Sequence, residues 1–362
     1  MNTILILNNY DIGSFAENRL PFPDQFYYGI NYLYKRGDKI VVPGENRRRL
    51  LSMIESINRR LRLHIPLGDL SQQWNILPEL RSADLIYSPC DSVAQVLCYL
   101  RALGLIKIPV ICLAHHPPLQ GSASFIRRPW VKLALHGVSA FPSLSRAVAN
   151  QINALATGRQ LSSALKWGPD LNYYPPYHPG RRGVIAAGRT GRDFVTFGRA
   201  ASLTSSEITI VCPSSYVVDE FKEFRPNVTV LANPDEMHFT YTELFEMYSA
   251  SQAIAIPMAE APGLCGLTSL VDALGMGRAV LMTRNPLIDI AIEEEGIGLM
   301  VDPGDAEGWR RAIQFIEDNP DEAQAMGYRA RKFAEERCNS QLFAKSLLKI
   351  VDRVLEDTTR RN

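Results

Sequence analysis

Two short segments concentrate residue types suited to holding a phosphate-bearing ligand. Gly188-Arg189-Thr190-Gly191-Arg192-Asp193 follows the apolar run 184–187. Glycines let a backbone come close to a ligand, and guanidinium groups donate in a planar fork that matches phosphate oxygens. Asp193 stands where it can N-cap a following helix or orient an arginine. The plain alternative is a charged turn between a strand and a helix. The second segment, 257–280, reads as a strand end, an open loop (Glu260, Pro262, Gly263, Leu264, Cys265), a helix, a glycine stop and a further strand. A helix opening near Gly266, Leu267, Thr268 and Ser269 turns free N–H groups and its positive end into that loop, which suits a phosphate. Thr268 and Ser269 are placed to cap the start or to touch phosphate oxygens. Asp272, in the first turns, is placed to accept hydrogen bonds from sugar or ribose hydroxyls. The plain alternative is an ordinary βα unit whose helix ends at Gly275 and Gly277.

In the first half, His115-His116-Pro117-Pro118 follows the apolar run 108–113. Imidazoles at a strand end can hydrogen-bond a sugar hydroxyl or a phosphate. His116, immediately before the two prolines, is the chosen candidate, and His115 stays open; the plain alternative is a histidine that closes the strand. Residues 46–64 hold six arginines against one glutamate, with Leu50, Met53, Ile54, Ile57 and Leu61 at helical spacing. That is a basic amphipathic helix, which either rests on anionic lipid or packs its apolar stripe on a sheet.

The elements that must position these residues alternate along the chain. Apolar strand-like runs at 3–7, 39–42, 85–88, 108–113 and 138–141 are separated by amphipathic stretches such as 92–103 and 146–155. A second series follows at 183–187, 208–211, 228–231, 253–257 and 279–283. Continuous apolar strands between helices predict parallel sheets covered on both faces. The segment 167–180 holds four prolines and two glycines, which no helix or central strand tolerates. The expected division is an amino-terminal Rossmann-like domain over 1–165, a linker over 166–182, a second Rossmann-like domain over 183–340, and a closing helix over 341–362 that returns to the first. Two such lobes would place a ligand in a cleft between the strand ends.

The 362 residues are 46% apolar and 21% charged, which is ordinary globular composition. Lys and Arg number 39 against 38 for Asp and Glu, so bulk charge gives no reason to expect a nucleic-acid partner. The six cysteines are scattered without a CxxC pair, as expected of reduced thiols. No apolar run reaches the about 18 residues needed to span a bilayer, and the first residues do not read as a secretory leader. A soluble, cytoplasmic chain is expected, with peripheral contact at the inner membrane face through 46–64 as an open reading.

Taken together, the order Gly-Arg…Arg-Asp, then strand, Pro-loop, Gly266-Leu267, Leu270, Asp272-Ala273, Gly277 and Val280, resembles the donor-binding half of retaining, GT4-like (group 1) glycosyltransferases. Trp167-Gly168-Pro169-Asp170-Leu171 resembles the linker before that half, and Val301-Asp302-Pro303-Gly304-Asp305 the turn that follows. The likeness covers most of 165–345; residues 1–160 match in layout. It implies an α/β, GT-B fold of two doubly wound domains and transfer, with retention, of a sugar from a UDP- or GDP-linked donor. The acceptor would be a hydroxyl on a glycan, a glycolipid or a small molecule. It also implies that Gly13 lets the backbone approach the donor diphosphate and that a histidine here lies near the reacting sugar. Where the family often carries two glutamates with seven residues between them, this chain has Leu264 and Asp272, with Glu260 four residues ahead of Leu264. Arg192 takes the place of the usual lysine. No DxD-like pair occurs at a strand end, so the reading requires no metal and no cofactor. A nucleotide-sugar epimerase on the same scaffold, or a non-catalytic nucleotide-sugar-binding protein, are the alternatives.

Overall fold

A computed structural model of the chain describes residues 1–8, 23–44, 49–121, 124–233, 239–260 and 263–361. Gly13 and the first residues of the basic stretch, 46–48, lie outside the described residues. The chain divides into two compact units: 1–20, 24–166 and 341–362 form the first, and 21–23 with 167–340 the second. The proline-rich segment 167–182 thus belongs with the second unit.

The first unit runs β1 (Thr3–Ile6), α1 (Ile30–Lys35), β2 (Lys39–Val41), α2 (Arg49–Arg60), α3 (Leu70–Asn75), β3 (Leu85–Ser88), α4 (Gln95–Ala102), β4 (Val110–Cys112), α5 (Ser124–Gly137) and α6 (Arg146–Leu155). Its four strands are parallel in the order β2-β1-β3-β4, with Ile4 opposite Leu85 and Ile86 opposite Val110. β3 and β4 are buried along their whole length, as strands covered on both faces must be. The expected strand over 138–141 does not form. Ile111 and Ala140 make only an isolated bridge, and so do Ala114 and Ser143. Between them Pro142 accepts from the Ala114 N–H but has no N–H to return, so the ladder cannot continue.

The second unit continues with β5 (Val184–Ala187), α7 (Phe194–Ala201), β6 (Ile208–Pro213), β7 (Val228–Asn233), α8 (Tyr241–Ala250), β8 (Ala253–Ile256), α9 (Leu267–Met276), β9 (Ala279–Thr283), β10 (Gly298–Val301), α10 (Ala306–Asp318) and α11 (Pro320–Arg337). Its six parallel strands lie in the order β10-β9-β8-β5-β6-β7. Strand β10 was not anticipated. It is short and begins with Gly298, where a Cβ would run into the Val280 backbone of β9. Asp305 N-caps α10 through the Gly308 N–H at 2.8 Å, closing the turn that begins at Val301. One core packs on each face of the sheet, one around Leu270, Leu274 and Phe333 and the other around Phe197, Trp309 and Ile313. The buried Arg278 donates to the carbonyls of Tyr248, Ser249, Met276, Gly277 and His178, the hydrogen bonding a buried cation requires.

The closing helix α12 spans Ser340–Arg361 and, from Gln341 on, belongs with the first unit. Phe343, Leu347, Ile350, Val351 and Val354 are buried, at helical spacing. Leu347 packs on Gly29, where a Cβ would come within 2.6 Å of its Cδ2.

Candidate functional site

In the second unit the chain leaves β5 toward β6 and β7, then returns to the opposite side of β5 to lay down β8 and β9. The strand order therefore reverses between β5 and β8. In a doubly wound sheet, ligands bind at the carboxyl ends of the strands flanking such a point. Both segments singled out by sequence sit there.

The loops after β5 and β8 are stitched together. The Asp193 N–H donates to the Pro257 carbonyl at 3.1 Å, and the Ala259 N–H to the Gly191 carbonyl at 2.9 Å. Asp193 then N-caps α7 by accepting from the Thr196 N–H at 3.1 Å. Between the loops lies the Arg192 guanidinium. Its Nη2 donates to Ser269 Oγ at 2.8 Å and its Nη1 to the Thr190 carbonyl at 3.1 Å. Ser269 Oγ in turn donates to the Ala187 carbonyl at 3.2 Å, which ties the end of β5 to the first turn of α9. Gly188 is required for this arrangement, because a side chain there would collide with the Arg192 guanidinium. Burial lowers the Arg192 pKa, with Asp272 among the groups opposing that shift. The Arg192 Nε is buried without a hydrogen-bond partner among the described residues.

Helix α9 opens at Gly266, whose φ of 87° is left-handed and which has no side-chain cap. The first intrahelical bond runs from the Leu270 N–H to the Gly266 carbonyl, leaving the N–H groups of Leu267, Thr268 and Ser269 outside the helix ladder. Ser269 is buried and engaged with Arg192, so it does not cap the helix; Thr268 is exposed at the opening. Leu264 is buried, and the Gly263 carbonyl accepts from Asn285 Nδ2 at 3.2 Å, with Cys265 O at 3.5 Å from the same amide. Asn285 was not anticipated. It follows β9, far from the loop in sequence, and carries no motif of its own.

Asp272 lies one turn into α9, 3% exposed, and its Oδ1 accepts from the Tyr174 hydroxyl at 2.6 Å. Burial raises its pKa to about 7, with the Tyr174 hydrogen bond and the Arg192 charge pulling the other way. In this structure the carboxylate accepts from Tyr174 through Oδ1. Tyr174 comes from the proline-rich segment and crosses α9 at Gly275, where a Cβ would come within 2.5 Å of the ring. A glycine inside a helix was the one signal that could have revealed it.

The structure thus gathers Gly188, Arg192, Gly263, Leu264, Cys265, Gly266, Leu267, Thr268 and Asp272 at one end of one sheet. Arg189 and Glu260 are exposed on the same two loops. His116 belongs to the first unit, exposed at the end of β4, with its pKa lowered by partial desolvation against its neighbours. Beside it, His115 Nε2 meets the Pro89 carbonyl at 2.7 Å and its ring lies 4.8 Å from that of Tyr28. Burial pushes the His115 pKa down to about 4, so the ring is neutral at physiological pH. Asp91, on the neighbouring strand end, has its pKa raised to about 6 by burial, opposed by the His115 N–H. Among the described residues no three of His, Cys, Asp and Glu gather as metal ligands would. No described helix is long and apolar enough to cross a membrane.

No family model matches the chain, and no curated protein matches it. Solved structures do. A glycosyltransferase of Rickettsia africae superposes with a TM-score of 0.69 at 14% identity, covering 98% of this chain and 98% of that one. Sucrose-phosphate synthase of Thermosynechococcus elongatus gives 0.68 at 12% identity, over 99% of this chain and 100% of that one. HepE of Anabaena, solved in complex with UDP, gives 0.63 at 12% identity, over 98% and 100%. The fold is therefore established: two Rossmann-like α/β units, the GT-B fold of these glycosyltransferases.

Proposed function

We propose that this chain is a retaining glycosyltransferase that moves a sugar from a UDP- or GDP-linked donor to an acceptor hydroxyl. The observation that carries the reading is the Arg192 guanidinium, held by Ser269 and Thr190 at the strand reversal between β5 and β8, beside the uncapped start of α9. HepE, the relative of like fold, has been solved with UDP and with UDP-glucose, which supports a nucleotide-sugar donor.

The chemical demand is the negative charge that grows on the departing diphosphate. Fixed cationic and N–H donors lower that barrier because they are oriented before the bond breaks. Arg192 and the N–H groups of Leu267 and Thr268 form the fixed part, with Arg189 closing over the phosphates from the exposed edge of the loop. In the front-face path, the bond from the anomeric carbon to the phosphate oxygen breaks while the bond to the acceptor oxygen forms on the same side. The acceptor proton passes to the leaving diphosphate, so no covalent carboxylate is needed. His116 is the candidate contact for a sugar hydroxyl. The acceptor is a hydroxyl of a glycan, a glycolipid or a small molecule.

The test is a panel of nucleotide sugars, with release of free nucleoside diphosphate followed for the parent chain, Arg189→Ala and Arg192→Ala. Slow donor hydrolysis without acceptor is expected, and each substitution should lower turnover by about 10²–10³ while the protein stays folded. Epimerised sugar without acceptor, or binding without turnover, would replace the transferase reading with an epimerase or a sensor. Unchanged turnover in both variants would remove the assigned role.

A further inference from the structure

Helix α2 meets its own unit along a narrow edge. Leu51 is buried and Glu55 and Asn58 are half-buried, with Asn58 Nδ2 donating to the Ile65 carbonyl at 2.8 Å. The rest of its apolar surface is turned to water. Leu50, Met53, Ile54, Ile57, Leu61 and Leu63 are each between 42 and 65% exposed. The expectation that this stripe packs on a sheet is therefore overturned. In helical register the first five fall within one sector of roughly 100°. Arg60 lies at the edge of that sector, Arg59 and Arg62 follow at the same end, and all three are exposed. Glu55 is the single acidic residue between 46 and 64.

We propose that α2 lies in the plane of an anionic lipid bilayer surface, its leucine and isoleucine face among the upper acyl carbons and its arginines on headgroup phosphates. An exposed apolar face of this width marks an interaction site rather than ordinary surface. The two halves of the feature need different things from an occupant. A nucleic acid would engage the arginines and leave the Leu/Ile face wet, and an apolar protein groove would cover that face without calling for cations at its margin. An anionic membrane surface meets both demands, and an in-plane amphipathic helix with a basic margin is the form that binds it. The inference goes beyond the proposed sugar transfer and stands on this helix alone.

Co-sedimentation of the full chain with vesicles tests it, comparing phosphatidylcholine alone with phosphatidylcholine containing phosphatidylglycerol. The chain should bind the anionic vesicles at least about tenfold more tightly than the neutral ones, and added salt should weaken that binding. Ile57→Asp with Leu61→Asp should abolish binding, and Arg59→Glu with Arg60→Glu should weaken it at least about tenfold. Both variants change exposed side chains, so the thermal midpoint and donor turnover should match the parent. Failure of the parent to bind anionic vesicles overturns the proposal, as does binding that both variants retain. Light scattering that shows a concentration-dependent dimer, dissolved by the aspartate variant, would assign the face to a second copy instead. Phe125, 83% exposed in α5, is another large apolar side chain open to the surface; loss of binding through Phe125→Ser alone, with both α2 variants still bound, would move the contact to α5.

Discussion

Arg192 and Asp272 illustrate how one buried site divides its charges. Arg192 keeps its charge despite burial because Ser269 and the Thr190 carbonyl accept from it and Asp272 lies within electrostatic reach. Asp272 is held neutral more readily than an ordinary carboxyl, since burial outweighs the Tyr174 hydrogen bond and lifts its pKa to about 7. The sign follows. A carboxyl whose folded pKa lies above its unfolded value of about 3.9 contributes stability below that unfolded value, and loses it as pH rises through about 7. Asp272→Asn keeps an acceptor for the Tyr174 hydroxyl and removes the ionisation. Relative to the parent, its thermal midpoint should therefore climb between pH 4 and pH 8; a constant offset across that range would show that Asp272 titrates normally. His115 follows the same logic with the opposite charge, its pKa of about 4 leaving it neutral where the protein works. Among the residues named from sequence, the places of Gly188, Arg192 and Gly266 after strand ends were legible because the apolar runs 184–187 and 253–257 mark where each strand stops. Tyr174 was not, because its partner Asp272 lies 98 positions away and tyrosine in a proline-rich segment announces nothing.

At the scale of elements, the site depends on where α9 starts. Gly266 sets that point: its left-handed backbone ends the loop and aims the first N–H groups of the helix outward. A Cβ there would lie 3.0 Å from both Ile256 Cγ2 and Met282 Cε, in addition to the backbone strain. Gly266→Ala should therefore cost at least about 1 kcal/mol of stability and, on the proposed function, weaken binding of UDP or GDP, read by thermal melting and calorimetric titration. A variant that melts and binds like the parent would place the helix start elsewhere. Strands buried on both faces, such as β5, β8 and β9, were plain in the sequence because nothing polar interrupts them. The failed strand over 138–141 was not, because its apolar residues are as strand-like as any and Pro142 acts only once its neighbours are known. The exposure of the α2 stripe was equally hidden, since the helical period shows that a face is apolar and not what covers it.

For the whole molecule, the order of elements in sequence is not the order in which the two units are completed. Helix α12 completes the first unit, although it is the last element in sequence and follows directly on the second. Leu347 is fully buried there against Gly29, so Leu347→Ala should lower stability by about 2–5 kcal/mol while the folded protein keeps its nucleotide affinity. Lost affinity for UDP or GDP at unchanged stability would contradict a purely packing role for Leu347. The boundary near 166 was legible in the prolines and glycines of 167–180, whereas the allegiance of those residues to the second unit was not, because Tyr174 and Tyr177 pack on α9 and its glycine stop through contacts no local pattern encodes. The measurement that bears most directly on the central claim is a crystal structure of the chain with UDP or GDP bound. The account predicts the pyrophosphate at the carboxyl ends of β5 and β8, within hydrogen-bond distance of the Arg192 guanidinium and the N–H groups that open α9. Nucleotide bound elsewhere, or phosphates there with neither Arg192 nor α9 in contact, would contradict it.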